Sequence, residues 1–118
     1  MMRPGSDVAV YLYRDVVDMR KSINGLSILV EQGLGLDPFA PALFAFCNRK
    51  CDKLKILYWE RNGFVLWYKR LEKHRFPWPR DAAGSTRTLT GEQLNWLLDG
   101  IDVFALRPHE ELSYESVL

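Results

Sequence analysis

The sequence predicts an α+β fold: an antiparallel β-sheet of about four to five strands, with two main helices packed on one face. Three observations predict it. Several short segments alternate apolar or aromatic residues with polar ones at the two-residue period of a strand. Two other segments repeat apolar residues at helical spacing. The strand-like segments also follow one another over short links, which favours antiparallel pairing. No series of strand–helix–strand units is visible, which argues against a doubly wound sheet.

The elements follow in order. Val8 to Tyr13 is rich in β-branched and aromatic residues and reads as a strand. Asp18 then suits an N-cap, and Met19 to about Val30 reads as a helix, with Ile23, Leu26, Val30 and Leu34 on its core face. Gly33 and Gly35 mark its end. The prolines at 38 and 41 make a loop. Leu43 to Cys47 is a short apolar strand, Asn48 to Lys53 a basic turn, and Leu54 to Glu60 a further strand. Asn62-Gly63 suits a type I′ turn, so Phe64 to Leu71 is the returning strand of a hairpin. Phe76-Pro77-Trp78-Pro79 is extended, Arg80 to Ser85 a loop, and Thr86 to Leu89 a short strand. Thr90-Gly91-Glu92-Gln93 has the spacing of a capping box for a helix to about Asp99. Leu94, Leu97, Leu98 and Ile101 form its core stripe, and Gly100 stops it.

At 118 residues the chain fits one domain, here residues 1–106, followed by an acidic tail over 107–118 carrying Glu110, Glu111 and Glu115. Hydrophobic residues at 47% supply enough core to make intrinsic disorder a poor description. There is no charged start followed by an apolar stretch, and no apolar run of membrane-spanning length. With only Cys47 and Cys51 as thiols, a reduced, cytoplasmic protein is expected.

A net charge of +1 hides an asymmetry. From Arg49 to Arg87 there are eleven Lys and Arg against four Asp and Glu, a local charge of +7. The rest carries five against eleven, a charge of −6. Such segregation points to a surface for a polyanion. Strand alternation sharpens the location. Both hairpin strands place their basic residues away from the Asn62-Gly63 tip. Arg49, Lys50, Lys53, Lys55, Lys69, Arg70, Lys73 and Arg75 therefore gather near one end and are the candidate DNA-binding residues. Lys and Arg neutralise phosphates, and flat aromatic rings can stack on bases. Trp59, Trp67 and Phe64 read mainly as core residues.

Other chemistries are poorly supported. Cys47 and Cys51 lack the second tight ligand pair that a structural zinc needs, with His74 and His109 far downstream. No nucleophile elbow, phosphate-cradling glycine loop or His-Glu-x-x-His motif occurs. Asp15, Asp18, Asp99 and Asp102 are carboxylates of the kind that hold Mg²⁺, but Asp18 and Asp99 are explained as helix-end residues. No catalytic residue, metal or cofactor is assigned, and a non-enzymatic role is expected.

Ordered motifs then carry a resemblance over roughly Val10 to Asp102. They include Asp18-Met19-Arg20-Lys21 with Gly25-Leu26, Asp37-Pro38-Phe39, and Leu43-Phe44-Ala45-Phe46 with Asn48-Arg49-Lys50. Lys53-Leu54-Lys55-Ile56-Leu57-Tyr58-Trp59, Asn62-Gly63-Phe64 and Lys69-Arg70-Leu71-Glu72 follow. The set closes with Arg75-Phe76-Pro77-Trp78-Pro79 and Leu97-Leu98-Asp99-Gly100-Ile101-Asp102. In these motifs the chain resembles TnpB, the second-open-reading-frame accessory family of bacterial insertion sequence family sixty-six elements. That resemblance implies a non-catalytic role in transposition beside a separate DDE transposase. The partners it implies are DNA, as transposon ends, together with the transposase and another element-encoded protein. The alternative is an adaptor that binds the transposase with little DNA contact, using the exposed parts of Trp59, Trp67, Phe76 and Trp78.

Overall fold

The computed structural model describes residues 3–79 and 86–104. Strand β1 (Ala9–Tyr13) leads to helix α1 (Ile23–Ile28), which continues as a π-helical turn (Leu29–Gly33) before β2 (Ala42–Cys47). Strands β3 (Lys53–Glu60) and β4 (Gly63–Arg70) form the hairpin, and β5 (Thr86–Thr90) runs directly into α2 (Gly91–Leu98). All five strands join one sheet in the order β4-β3-β2-β1-β5. The α+β class and the strand count agree with the sequence reading. The Arg80–Ser85 loop and the acidic tail over 107–118, with the boundary at 106, lie outside the described residues.

Two parts of the expected architecture are corrected. First, the sheet is mixed. β1 and β2 are parallel, with Ala9 opposite Ala42 and Leu12 opposite Ala45, while the other three pairings are antiparallel. Parallel neighbours need a long crossover, and α1 with its flanking loops supplies it. Second, the helices cover opposite faces of the sheet. Successive side chains of a strand point to opposite sides. Ala42, Phe44 and Phe46 pack with Leu26 of α1 and Val30 of the π turn. Leu43, Ala45 and Cys47 pack with Leu94, Leu97 and Leu98 of α2. Every residue of β2 is buried, as a strand covered on both faces requires. Burying each large apolar side chain there contributes roughly 1.5–3 kcal/mol.

Local chemistry moves two element boundaries. Helix α1 starts at Ile23 rather than Met19. The ammonium of Lys55 donates to the carbonyls of Met19 and Lys21, both at 2.8 Å. These bonds hold the Met19–Lys21 stretch to β3, and Ser22, in an extended conformation, is the N-cap of the helix. The hairpin turn also shifts by one residue. Glu60 pairs with Gly63, leaving Arg61 and Asn62 as the loop, and Arg61 carries the positive φ of 52°. Asn62 lacks the positive φ that a type I′ turn requires at its second position.

Near α2 the capping box and the stop at Gly100 hold, while the expected core stripe loses Ile101. Thr90 Oγ1 accepts from the Gln93 amide at 3.1 Å, and Gln93 Oε1 accepts from the Thr90 amide at 2.9 Å, closing the capping box. Gly100 turns the chain at φ 89°. That turn carries Ile101 off the core stripe, and it is half exposed. The Phe76–Pro79 segment straps the α2 face. Phe76 and Trp78 are 2% and 8% exposed, and the Trp78 indole donates to the Tyr13 carbonyl at 3.0 Å.

Candidate functional site

The hairpin end away from Arg61 is built on two loops. The turn from Asn48 to Asp52 is organised by Asn48. Its Oδ1 accepts from the amides of Asp52 and Lys53 at 3.1 and 3.0 Å, and its Nδ2 donates to Asp52 Oδ1 at 2.7 Å. That last bond is the chief cause holding the Asp52 carboxyl below its ordinary value. Cys51 takes a positive φ of 58° to close the turn. The amides of Leu71 and Phe76 then tie the Asp52 and Cys51 carbonyls at 2.8 and 2.7 Å. A turn braced at this many points presents Arg49 and Lys50, both exposed, on a fixed backbone.

The second loop is the stretch from Val16 to Lys21. Val17 is buried, and its amide donates to the Cys47 carbonyl at 3.0 Å, fastening the loop to the end of β2. Lys55 grips the far side through the carbonyls of Met19 and Lys21. Between these anchors, Asp18 and Arg20 form a close ion pair. Arg20 Nη2 lies 2.6 Å from Asp18 Oδ2, and Nε lies 2.9 and 3.1 Å from the two carboxylate oxygens. The Arg20 amide donates to Oδ1 at 2.9 Å. The Arg20 side-chain bonds, then its backbone bond, lower the Asp18 pKa to about 2. The same pairing raises the Arg20 guanidinium.

The two loops enclose an open groove of about 560 Å³ on the α1 side of the sheet. Arg20, Arg49, Lys50 and Lys53 line it, with Asp18, Asn48 and Tyr68 among them. Two carboxylates face these four cations, Asp18 on Arg20 and Asp52 with its Oδ1 3.6 Å from the Lys53 ammonium, and the balance is electropositive. An electropositive concavity concentrates anions. Among the described residues, no three of His, Cys, Asp and Glu come together in a way that would hold a metal ion. Nor is any helix there long and apolar enough to cross a membrane.

The eight basic residues singled out by sequence thus divide. Arg49, Lys50 and Lys53 are brought together in the groove. Arg70 pairs with Lys53 across the ladder, but its Nε donates to Glu72 at 2.9 Å. Lys55 is turned inward, and its ammonium stands 5.7 Å from the Tyr68 ring centre. Lys69 points to the other face, where its ammonium meets the Leu98 carbonyl at 3.3 Å, at the C-terminal end of α2. Arg75 joins Lys69 and His74 in a separate depression of about 530 Å³ beside Asp99 and Gly100. Lys73 is exposed and lines neither. Sequence reasoning missed Arg20, which lies outside the +7 segment. The signal was present in Asp18-Met19-Arg20-Lys21, whose two-residue Asp–Arg spacing suits a local ion pair.

At the opposite end of the hairpin, Phe39, Trp59 and Phe64 form an aromatic cluster with ring centres 5.0–5.2 Å apart. Phe39 is 53% exposed and Ile28 52%. Both border a depression of about 190 Å³ with Glu31 and Phe64.

Comparison with known proteins places these features in a family. Two proteins of Sinorhizobium fredii resemble the chain along most of its length. Uncharacterized protein y4jC is 31% identical over 102 residues, covering 86% of each chain. Uncharacterized protein y4hO is 35% identical over 102 residues, covering 86% of this chain and 88% of its own. No solved structure matches. Residues 8–108 match the family described as IS66 Orf2 like protein, and the chain belongs to that family.

Proposed function

We propose that this protein is a non-catalytic accessory factor of transposition that holds duplex DNA by its phosphates in the groove between the Val16–Lys21 loop and the β2–β3 turn. Family membership supplies the process, that of an IS66 element. One observation carries the DNA reading: Arg20, Arg49 and Lys50 from two braced loops, and Lys53 from the start of β3, line one groove. A braced loop leaves less ordering to be done on binding. Phosphate contact by four cations predicts a slope of log affinity against log salt of about −3.6. Fluorescence anisotropy with a labelled duplex of the element end, at several salt concentrations, measures it. A slope near zero, or no binding at low salt, overturns the reading.

A second reading, a protein adaptor for the transposase, is favoured by the aromatic cluster at the hairpin tip. Phe76 and Trp78, both buried, are unavailable for it. Trp67 packs against the α2-side core. Phe39 and Ile28, beside Trp59 and Phe64, offer the apolar surface instead. Interface centres are enriched in aromatic residues, and the two readings use opposite ends of the hairpin.

A further inference from the structure

We propose that Asp18 is a positioning residue for DNA binding: its carboxylate holds Arg20 ready for a phosphate, so this acid strengthens the groove's hold on DNA. The inference rests on the DNA reading above. Simple charge counting gives the opposite sign, because a carboxylate in a phosphate groove repels the ligand.

The geometry reverses that sign. Asp18 accepts from the Arg20 amide and from Nε and Nη2 of its guanidinium, at 2.6 to 3.1 Å. Its negative charge is directed at Arg20. The Arg20 side chain is nevertheless 90% exposed, and among the described residues its guanidinium bonds to Asp18 through Nε and Nη2, not Nη1. A guanidinium has five N–H donors in a planar fork, so one edge can hold a carboxylate while the other meets a phosphate oxygen. An unpaired arginine on a surface samples many rotamers and must lose them on binding. Here that ordering is already present in the free protein.

The backbone under Arg20 is fixed as well. Lys55 ties the carbonyls on either side of it, those of Met19 and Lys21, to β3. The Lys21 amide closes a turn on the Asp18 carbonyl at 3.0 Å, and the Val17 amide ties the loop to β2. Strands β2 and β3 also carry the turn bearing Arg49 and Lys50 and begin with Lys53 on the other side. The four cations are therefore held in register with one another, and Asp18 sets the fourth.

The test is a double-mutant cycle read by anisotropy on labelled duplex DNA at one low salt concentration and across a salt series. Asp18→Asn keeps the shape and an acceptor for the Arg20 amide while removing the charge. In the wild-type background it is expected to weaken binding about fivefold, through partial loss of one charge-assisted contact. In an Arg20→Gln background the same substitution is expected to tighten binding, because only repulsion remains to be relieved. Arg20→Gln alone is expected to weaken binding and flatten the salt slope by about 0.9, one phosphate contact. Asp18→Asn that tightens binding in both backgrounds overturns the positioning role. So does Arg20→Gln, a substitution of an exposed side chain, that leaves affinity and slope unchanged. Wild-type protein that binds no duplex overturns the DNA reading itself, a distinct result.

Discussion

Asp18 shows how much one exposed carboxyl can report. Arg20 lowers it from the ordinary 3.8 to about 2. A carboxyl whose folded-state value is depressed favours the folded state at any pH above its unfolded value. That contribution fades as pH falls from about 4 and is lost as pH passes through about 2. Carboxyl-detected NMR is expected to find the Asp18 midpoint near 2, and Arg20→Gln is expected to return it toward the ordinary range. A midpoint near 4 in the wild-type protein would mean the ion pair does not persist in solution. Lys55 makes the complementary point. In the sequence it is one more cation in a basic run. Its role as an internal tie is set by two carbonyls more than thirty residues away, which no local pattern encodes.

At the scale of elements, α2 depends on a contact that its capping box conceals. Arg3 Nη1 and Nη2 reach the Asn95 carbonyl and Asp99 at 3.2 and 3.0 Å, and Asn95 Nδ2 reaches the Pro4 carbonyl at 3.3 Å. This lays the chain from Arg3 to Gly5 along the helix, with Arg3 toward its C-terminal end and Gly5 against its start at Gly91. A Cβ on Gly91 would overlap the Gly5 carbonyl oxygen. Gly91→Ala is therefore expected to destabilise by about 1–3 kcal/mol through overpacking, despite alanine's better helix propensity. Gly63→Ala, where a Cβ meets open space at ordinary φ, is expected to stay within about 0.5 kcal/mol of wild type. Equal melting temperatures for the two variants would show that the Gly5 segment yields.

The same scale separates what was legible in the sequence from what was not. The β3–β4 hairpin and the capping box were legible because adjacent residues determine them. Helix faces and strand direction were not, because they depend on where the α1 crossover lands. One clue stood in plain sight. The run from Ala42 to Cys47 has no polar residue on either side, and such a strand must be covered on both faces. The basic end of the hairpin was legible as a region. Its division between the α1 and α2 faces follows from register, since Lys53 pairs with Arg70 and Leu54 with Lys69.

Across the whole molecule, the hairpin separates two surfaces of different chemistry. Each strand has eight residues, which at about 3.3 Å per residue puts the basic groove and the aromatic tip roughly 25 Å apart. That is well beyond a Debye length of about 8 Å at physiological salt, so charge changes at one end leave the other nearly untouched. The two proposed readings are then separable within one protein. Arg49→Gln, Lys50→Gln and Lys53→Gln together are expected to flatten the salt slope by about 2.7 while leaving association through the tip intact. Phe39→Ser with Ile28→Ser, at side chains already half exposed, is expected to leave DNA affinity unchanged and to abolish co-purification with the transposase in the presence of nuclease. If the groove variant alone abolishes that co-purification, the association runs through the groove, and the tip has no part in it. If both variants retain it, the partner surface lies elsewhere, and of the two proposed readings only DNA binding at the basic end still stands.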